Sequence, residues 1–223
     1  MENVRIRALT ITDLPLTLKW HNQPDIIEMY AGHPFPVNEE MERKWYEKIL
    51  ISNFPVTVFG IELIENNKLI GLTILRDLNL INRSAETAIY IGDKTERSKG
   101  YSKEALKLTL RFAFKDLGLH RVFLSVREDN AAALSLYEKM GFTREGIMRD
   151  SIYKDGKYIS LIIMSILEEE FYGWLWNPYN IRYRKMESIS FRDSYVNGEF
   201  KNLFILSVLK EDFEEILKDY EFW

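Results

Sequence analysis

Apolar residues recur at every second position from Val4 to Leu9, which predicts a first strand, and Thr12 or Asp13 can cap a short helix running to His21. A second helix follows Pro24. A third starts at Asn38, whose side chain can cap EEMERKWYEKIL, with Met41, Trp45 and Ile49 expected on one face. The runs VTVFGIELI and KLIGLTILRDL flank the turn signal Glu65-Asn66-Asn67, and AETAIYIG follows the break at Asn82 and Arg83, which together predict an antiparallel meander. Helical spacing returns from Tyr101 to Leu117, with Gly118 as the stop. RVFLSV is another buried strand, Asn130 to Met140 is a helix closed by Gly141, and two extended segments surround the hairpin turn Lys154-Asp155-Gly156. Strands bunched early and then interleaved with single helices indicate an α+β domain with one mixed, mostly antiparallel sheet flanked by helices.

The tail repeats part of this pattern. RDSIYKDGKYISLIIMSILEEEF (Arg149 to Phe171) aligns with RDSYVNGEFKNLFILSVLKEDF (Arg192 to Phe213), with one gap in the turn, in identities and in alternating apolar positions. The second copy is expected to be a duplicated β-hairpin, so residues 1–171 form the main domain and 172–223 a C-terminal extension. A hairpin alone is marginal and exposes an edge, so it is expected to pair with a sheet edge or across a two-fold homodimer. The connector between the copies carries Trp174, Trp176 and Tyr179. Packing of the appendage is the plainer role for these rings, and a substrate lid or dimer seam the alternative.

Composition narrows the function. At 46% hydrophobic and 29% charged, 223 residues can bury a full core, which excludes disorder over the whole chain. The net charge of -4 has no long single-sign run, so nothing resembles a nucleic-acid footprint. The absence of cysteine removes disulfides, thiolate metal sites and a cysteine nucleophile together. His21, His33 and His120 lack metal-ligand spacing, and no metal is expected. No stretch approaches the ~20 apolar residues of a membrane helix, so a soluble, cytoplasmic protein without a membrane partner is the expectation.

The segment IYIGDKTERSKGYSKEAL runs from an apolar strand through a polar loop into a helix. Consecutive main-chain N–H groups at such a turn form an anion site, strengthened by the positive end of the helix dipole. Pyrophosphate suits it. Gly100 lets the backbone approach, Ser102 is nearly as small, and Arg97 and Lys99 add charge at the rim. Taken alone this is a weak signal, and a plain helix cap would explain it. About 30 residues on, Asn130 and Tyr137 are two helical turns apart, on one face where both can touch one ligand.

RSKGYS resembles the Arg/Gln-x-x-Gly-x-Gly/Ala signature of GNAT acetyltransferases, with Ser102 where glycine or alanine is usual. NAAALSLYEKMGF resembles their Asn-x-x-Ala-x-x-x-Tyr-x-x-x-Gly-Phe segment. With WHN, AETAIYIG, LGLHRV and the EG-x-x-R hairpin, the similarity covers about Val4 to Phe171 and is greatest to the ribosomal-protein (Rim-type) branch. It implies an acetyl-CoA-dependent N-acetyltransferase with a sheet splayed between its fourth and fifth strands. The pantetheine arm would pair with the strand containing Ile89, Tyr90 and Ile91. The pyrophosphate would sit on Arg97, Ser98, Lys99, Gly100, Tyr101 and Ser102, and Asn130 with the following helix, including Ala133, would touch the pantetheine. Tyr137 would protonate the CoA sulfur, with core packing as its structural alternative. A main-chain N–H near Tyr90 or Ile91 would polarise the thioester carbonyl.

Glu86, at the start of the splayed strand, is the candidate base for the substrate ammonium, directly or through water, with Glu28 and Glu40 as substitutes. Trp20 is a candidate for the acceptor pocket by the same resemblance, and otherwise core. His120 is expected to be structural. The acceptor is a protein N-terminus or a small-molecule amine. The rival function is a catalytically weak acyl-CoA-binding sensor or scaffold.

Overall fold

The computed structural model describes residues 2–29, 35–51, 55–175, 192–196 and 199–203. The chain divides into two compact units, Met1–Asn177 and Pro178–Trp223. The first is built on a seven-stranded sheet. Its strands are β1 (Val4–Ala8), β2 (Thr57–Leu63), β3 (Leu69–Asn79), β4 (Ser84–Ile91), β5 (Arg121–Arg127), β6 (Thr143–Lys154) and β7 (Lys157–Leu167), in the order β1-β2-β3-β4-β5-β7-β6. Every neighbouring pair is antiparallel except β4 and β5, which run parallel. The expected meander is β2-β3-β4, and the hairpin β6-β7 turns through Asp155 (φ 50°) and Gly156 (φ 78°), the two left-handed positions of a two-residue connection.

Among the described residues, six helices flank the sheet: α1 (Leu14–His21), α2 (Pro24–Met29), α3 (Glu39–Ile51), α4 (Tyr101–Arg111), α5 (Ala131–Lys139) and α6 (Glu168–Leu175). Side-chain alternation along β3 and β4 sorts them onto two faces. On one, Ile91 packs with Ala105, and Thr73 Oγ1 lies 2.9 Å from Thr109 Oγ1, so α4 covers that side. α5 shares a core cluster there with Leu75, Ala85, Leu106, Leu110 and Met164. On the other, Leu72, Tyr90 and Val58 pack with Trp20, Ile26 and Tyr46 from α1, α2 and α3.

Local details depart from the sequence pattern in three places. Asn38 caps α3 as expected, its Oδ1 accepting from Met41 N at 2.9 Å, but the helix buries Glu42, Tyr46 and Ile49 while Met41 is exposed. The apolar stripe thus includes a carboxylate, and the hydrophobicity of Met41 is a misleading guide. The long helix predicted to Leu117 is α-helical only to Arg111; Phe112–Asp116 widens into a π turn, with Leu117 N bonding Phe112 O at 3.0 Å. The boundary expected at Phe171 falls inside α6, because Phe171 is fully buried against Phe114 in the main core. In the second unit, β8 (Arg192–Val196) and β9 (Glu199–Leu203) pair antiparallel as the repeat predicted, from Arg192↔Leu203 to Val196↔Glu199. His33, Trp176 and Tyr179 lie outside the described residues.

Gly92, just past β4, lies directly against the helical layer: a Cβ there would come within 2.1 Å of the Trp20 ring. Trp20 is 1% exposed and cannot yield freely. Gly92→Ala is therefore expected to destabilise by about 1–3 kcal/mol in urea unfolding, the range for overpacking. Gly146→Ala, where a Cβ meets nothing within 4 Å, is expected to stay within about 0.5 kcal/mol.

Candidate functional site

The parallel pair β4 and β5 is joined only at its start, through Ser84↔Arg121, Ala85↔Val122 and Glu86↔Phe123. Beyond Glu86, β4 stays with β3 as far as Ile91, while β5 stays with β7 as far as Arg127. The sheet splits between them, as expected. Hydrogen-bond parity says which groups face the split. Gly92 N bonds Ile70 O at 2.9 Å across β3, so even-numbered residues of β4 direct their N–H and C=O groups to β3. On the other edge Arg83 O accepts from Arg121 N at 3.1 Å, so odd-numbered residues face β5. The main-chain groups turned into the gap are therefore those of Thr87, Ile89 and Ile91. Tyr90, grouped with Ile89 and Ile91 from the sequence, commits its N–H to the β3 ladder and sends its side chain to the α1–α3 face.

Past β4 the chain enters a loop held by ion pairs. Asp93 accepts from Thr95 N at 2.9 Å and pairs with Lys68 at 2.8 Å, which brings its carboxyl down to about 2. Lys68 also reaches Glu96, and Glu96 holds Lys99 at 2.8 Å. Arg97 turns back onto the strand end, donating from Nε to Ile91 O at 2.9 Å and pairing through Nη1 with Asp25 of α2. Both cations expected at the rim thus have carboxylate partners. What the loop offers an anion is backbone: Ser98 (φ 60°) and Gly100 (φ 89°) adopt left-handed conformations just before α4. The N–H groups of Ser98, Lys99, Gly100, Tyr101 and Ser102 have no main-chain acceptor among the described residues. Unfilled donors at the positive end of an eleven-residue helix fit a pyrophosphate. The amides of Ile89 and Ile91 fit an extended amide-bearing arm leading away from it.

Across the gap, Asn130 caps α5, its Oδ1 accepting from Ala133 N at 3.1 Å, so the side-chain amide nitrogen is the part left for a ligand. Ala133 is partly buried against the main core. Tyr137 is largely buried in that core, its ring 5.4 Å from Phe142.

On the opposite face, Glu86 stands where β4 and β5 part. Arg76 grips both its oxygens, at 2.8 and 2.9 Å, and Ser125 Oγ lies 3.4 Å from one of them. The carboxylate of Glu86 is thus held in a fixed orientation by a bidentate guanidinium. Glu40 is exposed and pairs with Lys44 at 2.9 Å. Glu28 contributes its main-chain carbonyl, which accepts from Arg127 at 2.7 Å and ties the end of α2 to β5. Trp20 lies beneath Tyr90 and Gly92, without an open face for an acceptor.

The sequence did not reveal a chain of polar groups beside β4. Thr17 Oγ1 donates to Glu42 Oε1 at 2.6 Å, His21 Nδ1 lies 2.8 Å from Glu42 Oε2, and Tyr90 Oη lies 3.2 Å from His21 Nε2. The one signal available was a glutamate on the buried stripe of α3. Among the described residues no group of three or more His, Asp or Glu side chains is placed to hold a metal, and no helix is long and apolar enough to cross a membrane.

The family profile described as acetyltransferase (GNAT) domain matches residues 3–143. The chain is 31% identical over 166 residues to a spermidine N(1)-acetyltransferase of Vibrio cholerae, covering 74% of this chain and 94% of that one. It is 33% identical over 116 residues to a putative ribosomal N-acetyltransferase, YdaF, of Bacillus subtilis, covering 51% and 63%. Among solved structures, the Vibrio cholerae spermidine N-acetyltransferase in complex with CoA and spermine superposes with a TM-score of 0.72 at 28% identity, covering 77% of this chain and 99% of that one. The split sheet, the amide-lined loop and these similarities agree: this chain belongs to the GNAT acetyltransferase family and is an acetyl-CoA-dependent N-acetyltransferase.

Proposed function

We propose that the chain acetylates a primary amine of a small aliphatic polyamine, in a ternary complex and without a covalent enzyme intermediate. The observation that carries this reading is the gap itself: main-chain amides turned into it along one side, and the Glu86 carboxylate, held by Arg76, on the face that remains for an acceptor. A carboxylate held in place by Arg76 suits an ammonium group. The spermidine acetyltransferase of Vibrio cholerae spans three quarters of this chain, and that extent supports a small amine over a protein N-terminus. The protein N-terminus remains the second reading, favoured by the shorter match to the putative ribosomal enzyme.

When bound, acetyl-CoA supplies an activated acetyl group and a good thiolate leaving group. The N–H groups of Ser98 to Ser102 hold the diphosphate, those of Ile89 and Ile91 align the arm, and Asn130 and Ala133 flank it. An amide N–H of β4 facing the gap stabilises charge on the thioester oxygen. Tyr137, rooted in the core by Phe142, delivers a proton to the departing sulfur. Glu86 orients the acceptor ammonium. An intact Tyr137 on an intact helix supports turnover over a sensor role.

Three outcomes check this proposal. In a thiol-release assay, spermidine and spermine are expected to show kcat/KM at least about tenfold above N-terminal peptides, a difference of ~1.4 kcal/mol; turnover of peptides alone would replace the acceptor assignment. Tyr137→Phe is expected to lower kcat by about 100-fold, the lower end for a lost general acid, with KM for acetyl-CoA nearly unchanged. Gly100→Val places a β-branched residue at φ 89°, at a strain of about 1–3 kcal/mol, so calorimetry is expected to show CoA binding weakened roughly tenfold or more.

A further inference from the structure

The net reaction releases a proton: an ammonium and a thioester become an amide, a thiol and H⁺. We propose that Glu42, His21 and Tyr90 form the exit for that proton, with the Tyr90 hydroxyl as its first station. The inference rests on the acetyl-transfer site proposed in the β4–β5 gap and adds a role that the site residues above do not fill, since both oxygens of Glu86 are already bonded by Arg76.

Glu42 is 2% exposed, and its two oxygens accept from Thr17 Oγ1 and from His21. A buried carboxylate needs donors, so the proton between it and the ring belongs to His21 Nδ1. That leaves Nε2 with its lone pair towards Tyr90 Oη, 3.2 Å away. Trp45 packs edge-on against the ring with centroids 5.3 Å apart, and the ring retains 22% side-chain exposure, enough to shed a proton to water. Tyr90 lies between Ile89 and Ile91, the residues whose amides face the gap. The dyad therefore stands behind the strand on which the acetyl group would lie.

The other ionisable groups around the dyad do not compete for this proton. On α3, Tyr46 hydrogen-bonds Thr17 at 3.1 Å, and burial pushes it up to about 12, so it stays a donor. Beyond it, Asp13 is held by Arg7 of β1 through both oxygens, at 2.8 and 2.9 Å. Arg76 occupies Glu86 in the same way.

In the step proposed, the acceptor ammonium gives a proton, through water, to Tyr90 Oη as that hydroxyl passes its own to His21 Nε2. An imidazolium paired with Glu42 results and discharges to solvent. The neutral amine then forms the C–N bond as the C–S bond breaks. The thiolate takes a proton from Tyr137, and the second proton shed by the nitrogen restores Tyr137. Tyr90 is the first station of this set; His21 and Glu42 act through it.

The test is the pH profile of kcat/KM with spermidine for the full chain and for His21→Gln, Glu42→Gln and Tyr90→Phe, with acetyl-CoA affinity and melting temperature measured alongside. Each variant is expected to lose at least about tenfold at neutral pH. The deficit is expected to shrink towards pH ~10, where a lysine-like amine is about half neutral without help. An equal deficit at every pH, or none, overturns the exit. Tyr90→Phe removes only the hydroxyl and decides the matter if the variants of His21 or Glu42 fail to fold. Loss of acetyl-CoA binding by the unaltered protein would instead overturn the cofactor site.

Discussion

Strand β4 has two partners it cannot keep over its full length. Its pairing with β3 extends from Ser84 to Ile91, while its pairing with β5 stops at Glu86. Buried main-chain N–H and C=O groups demand partners, so a strand that leaves one neighbour midway turns a row of groups, those of Thr87, Ile89 and Ile91, towards the gap, where the Ile91 carbonyl is met by Arg97. Such a row is unfavourable in an inert protein and useful in one that binds an extended, amide-bearing ligand. The rest of the site follows from holding that split open: β5 stays with β7, and α4 and α5 pack behind the two arms in one continuous core.

The loop after β4 shows how charge is spent on shape instead of on ligand. Lys68, Asp93, Glu96 and Lys99 form a run of ion pairs, and Arg97 bridges the strand end to Asp25. Exposed pairs of this kind contribute little stability one by one. They flank the turn in which Ser98 and Gly100 adopt left-handed conformations. Because Arg97 touches both the β4 terminus and α2, the loop before α4 and helix α2 share an anchor. Arg127 makes a second such tie, from β5 to the last turn of α2.

Much of this was legible in the amino-acid order, for identifiable reasons. The meander, the hairpin at Asp155-Gly156 and the duplicated hairpin rest on period-two patterning and turn chemistry, which are local. Gly100 and the loop from Arg97 to Ser102 could be recognised because a strand–loop–helix passage with small residues is itself a local device. Trp20, Met41 and Arg97 could not be placed from sequence, since each depends on what lies opposite. Trp20 is roofed by Gly92 and Tyr90, Met41 points away from the core, and Arg97 finds Asp25 from a separate helix.

Sequence alone therefore determined the elements, their order and the glycine turn from strand to helix at Gly100, because hydrophobic period, helix caps and glycine conformation act over a few residues. Only the tertiary structure decided which amides of β4 face the gap, since hydrogen-bond parity is set by pairing with β3 and β5. It also decided that Glu42, His21 and Tyr90 meet: three residues on three elements, separated by 21 and 48 positions along the chain, come within hydrogen-bonding distance only because α1 and α3 pack on the same face of the sheet.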